Sequence, residues 1–183
     1  MIYLFEQADN ATSNNIISLL CKNLRGYTYV ADWKVELADG APHEVKDHSL
    51  ENFLKQVEET KEHVGEYLNL YQVHSATFES GILSNTDVHA ALHKCREECG
   101  WSIGLSVSGP NQDELIREAM QIKVKSGEEQ HRLFDSVQCT YNILEQRPSE
   151  ALCEAHAEGL DIVIKEGKVR VCVVLSCVIV CSI

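Results

Sequence analysis

His74 stands at the end of an apolar run, Tyr67 to Ser75 (YLNLYQVHS), whose Leu68, Leu70 and Val73 read as the body of a buried strand. Chemistry collects at the carboxyl ends of parallel strands that are each followed by a helix, so a polar residue there is a site candidate. Other chain segments end the same way. Asp32 to Lys34, Ser75, Ser106 with Ser108, Gln138 with Tyr141 and Asn142, and Lys165 with Glu166 all follow short apolar runs. An imidazole, hydroxyls, a carboxamide and ammonium groups would thus gather wherever those ends converge.

The elements that must position them alternate between short apolar runs and longer helical patterns, as expected of parallel strands joined by helical crossovers. The first run is Tyr27 to Ala31, followed by a Gly, Pro and Asp-rich loop. Ser49 then opens a helix with Phe53, Leu54, Val57 and Val64 on one face, closed by Gly65. After the strand ending at His74, a helix from about Thr86 turns Val88, Ala91, Leu92, Cys95 and Cys99 inward and stops at Gly100.

Trp101 to Ser106 (WSIGLS) is the third strand. Asn111 and Glu114 resemble a capping box ahead of a helix with Leu115, Ile116, Ala119 and Met120 as its stripe. Lys125 to Arg132 reads as a polar linker to the fourth strand, Phe134 to Cys139. Ser149 begins a helix facing inward through Leu152, Cys153 and Ala155, and Gly159 precedes the fifth strand, Leu160 to Ile164. An open doubly wound sheet and part of an eight-stranded barrel both fit such an order. The barrel is favoured, because no GxGxxG turn follows the first strand and a barrel brings all strand ends to one rim.

Charge and composition narrow the function classes. With 183 residues and 44% hydrophobic content the chain suits one domain. A net charge of −12 without basic clusters argues against a general nucleic-acid or anionic-membrane surface. Eight cysteines, none in a CxxC pair, suit a reduced, cytoplasmic or organellar compartment rather than a disulfide framework. Cys95 and Cys99 beside His89 and His93 match none of the usual zinc modules, and a half-buried helix face explains them more simply, so no metal is expected. His43, His48, His63, His131 and His156 sit in polar contexts and read as surface residues. The start, MIYLFEQ, lacks the features of a secretory signal. Val171 to Ile183 carries no charge, and as a helix would span about 20 Å against a hydrocarbon core of roughly 30 Å, which disfavours a membrane anchor.

YLNLYQVH, the GLS of the next strand, FDSVQCTYN and DIVIKE, in that order, resemble the aldo-keto reductase family. The resemblance runs from Gly26 to Glu166 and implies an α/β fold of the (β/α)8 TIM-barrel type, partial, with about five β/α units recognisable. It also implies a nicotinamide cofactor, NADP (NADPH), and a small-molecule carbonyl or alcohol substrate. His74 matches the family histidine that helps polarise the substrate oxygen. Ser106 and Gln138 match its contacts to the nicotinamide carboxamide, while Val107 stands where the family has Asn. Tyr141 and Asn142 match positioning residues. Lys34 is the candidate for the catalytic lysine after the family's third strand, although Asp32 or Trp33 falls where that lysine is expected.

The family's catalytic Tyr and Asp have no match in residues 1–25, and nothing after Gly167 resembles the segment that holds the adenosine phosphate. The expected organisation is therefore an unmatched segment 1–25, a partial barrel 26–167 and an apolar tail 168–183. The leading reading is an NADP-dependent oxidoreductase of the aldo-keto reductase type, active or impaired, with its cofactor binding retained or lost. The alternative is a non-catalytic barrel fragment that self-associates through open sheet edges.

Overall fold

The computed structural model describes residues 27–31, 33–38 and 41–167, with side chains from Asp47 onward. The expected N-terminal segment and apolar tail lie outside the described residues. Five strands form one parallel sheet: β1 (Tyr27–Ala31), β4 (Leu68–Ala76), β5 (Ser102–Val107), β8 (Ser136–Thr140) and β9 (Asp161–Lys165). Their spatial order follows the chain without reversal. A doubly wound sheet would reverse at a switch point, so this order is that of a (β/α)8 barrel wall, and about five units of it are present.

All five expected strands are found, but two loops contain strands that the sequence reading missed. β2 (Trp33–Ala38) and β3 (Ala41–Lys46) form an antiparallel hairpin where a loop was expected, with Lys34 opposite Val45. The expected polar linker is a second hairpin, β6 (Lys123–Ser126) with β7 (Glu129–Arg132), which turns at Gly127 with φ +63°. β6 alternates exposed and half-buried residues, and β7 is exposed except at Arg132. Neither strand has the apolar run used to recognise the barrel strands.

Four helices cover one face of the sheet: α1 (Leu50–Val64), α2 (Thr86–Cys99), α3 (Gln112–Gln121) and α4 (Ser149–Ala157). Ser49 caps α1, its Oγ accepting from the Asn52 N–H, and the Asn85 side chain accepts from Val88 N–H to cap α2. Gly100 ends α2 at φ +71°, a conformation that a side chain would strain. Asn111 sits at the α3 N-cap as expected, but its side chain makes no capping bond. Leu54 and Cys153, both expected inward, are exposed; they lie just outside the arcs taken by Phe53 and Val57 and by Ala151, Leu152 and Ala155.

The core lies between helices and sheet. Tyr71 stacks on Trp101 at 5.7 Å and meets Phe53 edge-on at 5.9 Å. Ile103, Leu105, Val107, Val137 and Cys139 extend this core from strand to strand. At the amino ends of the strands, Arg96 pairs with Asp135 at 2.8 Å and donates to the carbonyls of Arg132 and Leu133, while the same carboxylate accepts from Ile103 N–H. The cluster joins α2, β5 and the entry to β8, which favours the common register from which the site is built.

Candidate functional site

Strand alternation assigns the sheet's second face. Tyr71, Val73, Ile103, Leu105, Val137 and Cys139 point to the helices, so their neighbours Gln72, Gly104, Ser106, Ser136 and Gln138 point to the opposite, inner face. Val163 is buried there too, outside the helix-side core. Barrel interiors are ordinarily filled by branched apolar side chains. This inner face is polar instead, and Gln72, Ser106 and Gln138 on it are all 0% exposed.

The register brings two of the expected site residues together: Ser106 and Gln138 are direct partners across β5 and β8. Among the described residues, neither Oε1 nor Nε2 of Gln138 has a hydrogen-bond partner. A buried carboxamide without partners is costly, so this amide is available to a polar ligand. One layer toward the amino ends, Gln72, Gly104 and Ser136 are aligned across three strands. A Cβ on Gly104 would meet Gln72 Cγ at 2.6 Å and also the Ser136 hydroxyl, so glycine is what allows Gln72 to lie across the sheet. The sequence reading missed Gln72, Gly104 and Ser136; their signal was the alternation itself, because Gln72 stands two residues before His74 on the same strand.

His74 is half-buried at a β-bulge. Between the pairs Val73 with Leu105 and Ala76 with Val107, β4 sets two residues, His74 and Ser75, against the single Ser106. Ser75 takes the extra residue in the left-handed region at φ +52°. Its buried hydroxyl donates to Ser108 Oγ at 2.9 Å, and the His74 carbonyl accepts from the Nε2–H of His48 at 3.0 Å. His48 is half-buried, contrary to the expected surface placement, because its ring serves that carbonyl; His131 and His156 are exposed as expected.

Lys165 extends from the end of β9 to the end of β5. Its Nζ lies 2.7 Å from Val107 O and 3.2 Å from both Ser106 Oγ and Ser108 Oγ. Glu166, at φ +57°, turns to the other side and accepts from Thr140 Oγ1 at 2.8 Å. Asn142 donates to Glu166 O, and its Oδ1 accepts from Leu144 and Glu145 N–H, fixing the loop after β8. Lys34 lies on the β2 hairpin rather than in the barrel wall, and its side chain falls outside the described residues.

Among the described residues no group of three His, Cys, Asp or Glu side chains is placed to hold a metal. His89 Nε2–H donates to Ile82 O at 2.6 Å, and burial holds this imidazole below its ordinary pKa. No described helix is long and apolar enough to cross a membrane.

The arrangement matches solved structures. Two structures from Pseudomonas aeruginosa, described as candidate aldo-keto reductases, superpose with TM-scores of 0.62 and 0.60 at 22% and 21% identity. The matches cover 84% and 83% of this chain but only 56% and 55% of those chains. This chain therefore has the fold of part of an aldo-keto reductase barrel and spans little more than half the length of the structures it matches. No protein-family model and no curated sequence matches it.

Proposed function

We propose that this chain is an oxidoreductase module of the aldo-keto reductase type, taking NADP(H) and a small carbonyl or alcohol substrate. The observation that carries this reading is the pairing of Gln138, whose buried amide has no partner, with the buried Ser106 across adjacent strands. These residues fit a primary carboxamide, which needs both donors and acceptors in a water-excluded place. When bound, the nicotinamide supplies the hydride that reduces a carbonyl carbon.

The chain's own residues would then orient and polarise. Ser106 and Gln138 hold the carboxamide, and His74 hydrogen-bonds the substrate oxygen as negative charge develops on it. Lys34, three residues beyond β1, would take the role of the catalytic lysine that the resemblance implies. With no tyrosine assigned as the proton donor, the alkoxide takes its proton from solvent water, so turnover is slow compared with a barrel that has one.

Titration with NADPH tests the reading. Trp101 stacks on Tyr71, directly before the strand that carries Ser106. Quenching of tryptophan fluorescence that is lost in Gln138→Ala supports the assignment. Absence of any quenching at millimolar NADPH overturns it.

A further inference from the structure

We propose that Lys165 is a positioning residue that occupies a lone pair of the Ser106 hydroxyl and turns its proton toward the ligand, so that the site favours a ligand presenting an acceptor oxygen. The inference rests on the proposed carboxamide contact and adds a residue to it. An ammonium has three donors and no acceptor. At the 3.2 Å contact between Lys165 Nζ and Ser106 Oγ, the serine must therefore accept.

A serine hydroxyl carries one proton, and Ser106 is 0% exposed with no other side-chain hydrogen bond. Its O–H is thus left with a direction but no acceptor among the described residues. The neighbouring Gln138 amide also has no partner and offers both polarities. A primary carboxamide satisfies this set, its oxygen taking the serine proton and its remaining groups facing the glutamine. With Lys165 removed, the hydroxyl is free to rotate between donating and accepting, and the preference for an acceptor is lost. Lys165 also binds Val107 O and Ser108 Oγ, so its loss disturbs the end of β5 as well.

A double-mutant cycle separates these roles. NADPH dissociation constants are measured by calorimetry on the full chain for the wild type, Lys165→Met, Ser106→Ala and the double variant. Lys165→Met is expected to weaken binding about tenfold in the wild-type background, equivalent to one lost hydrogen bond to a charged group, and less than about twofold once Ser106 is alanine. Equal weakening in both backgrounds overturns the proposal while leaving the carboxamide reading intact. A wild type that binds no NADPH removes both. Should Lys165→Met fail to fold, Lys165→Arg decides, because guanidinium also only donates. Affinity within about threefold of wild type supports the proposal, and affinity as weak as that of Ser106→Ala overturns it.

Discussion

The ring of His48 donates to the main-chain oxygen of His74 at 3.0 Å, tying the segment before α1 to the bulged end of β4. A carbonyl accepts only, so His48 carries its proton on Nε2. The bond holds the backbone at the point where β4 leaves register and the His74 side chain is aimed. His48→Ala removes it, at a cost of about 1 kcal/mol, read as a lower urea midpoint with unchanged slope. If His74 polarises the substrate oxygen, aldehyde reduction falls further in this variant than NADPH affinity does. A stability loss with proportionate losses in binding and turnover would show that the contact serves the fold alone.

Gly104→Ala is expected to destabilise the chain by roughly 1–3 kcal/mol, the range for overpacking a tight interior. The backbone of Gly104 is not in the left-handed region, so the penalty comes from the new methyl meeting Gln72 and Ser136. Thermal unfolding checks this, and Gln72→Ala in the same chain should recover part of the loss by vacating the space. No recovery would mean that the glycine is required for another reason.

Stability should also fall with pH through the histidine range. Burial holds His89 below its ordinary 6.5, against a smaller opposing effect of its bond to Ile82 O. The unfolded chain therefore binds the proton more readily. The contribution is fully present above 6.5 and declines as pH falls toward the lower folded value. His89→Gln should flatten the change in urea midpoint between pH 7.5 and 5.5. An unchanged slope in that variant assigns the dependence to other groups.

How legible this was from the sequence depended on the kind of signal. The strands of the parallel sheet from Leu68 onward are packed against helices, so their apolar runs stood out, and Leu115, Ile116, Ala119 and Met120 formed a helical stripe that is buried as expected. The β6–β7 hairpin was missed because KVKS and EQHR pack too little apolar surface to differ from a linker. At the candidate site, Ser106 and Gln138 were expected from their resemblance to a family pattern. Gln72 and Ser136 required knowledge of which face alternates inward, and a single polar residue inside an apolar run does not reveal that. The reach of Lys165 to Ser106 joins residues 59 apart and depends on strand register, which local pattern does not encode.

The cysteines give a test of the helix-side core. Burial is the largest influence on both Cys95 and Cys139, pushing their thiols up to about 11 and about 12, and the Lys165 ammonium only partly offsets this at Cys139. Alkylation proceeds through the thiolate, so both are protected twice, by protonation and by lack of access. Cys153 is free and exposed on α4. Iodoacetamide at pH 7.5 should therefore label Cys153 in the folded chain and reach Cys95 and Cys139 only once urea unfolds it, as read by peptide mass. Cys139 lies on β8 directly after Gln138, so its protection also reports whether the strand carrying the proposed carboxamide contact is seated in the sheet. Native labelling of Cys139 at a rate near that of Cys153 would mean that β8 opens readily, and a site that depends on the Ser106–Gln138 register would not persist.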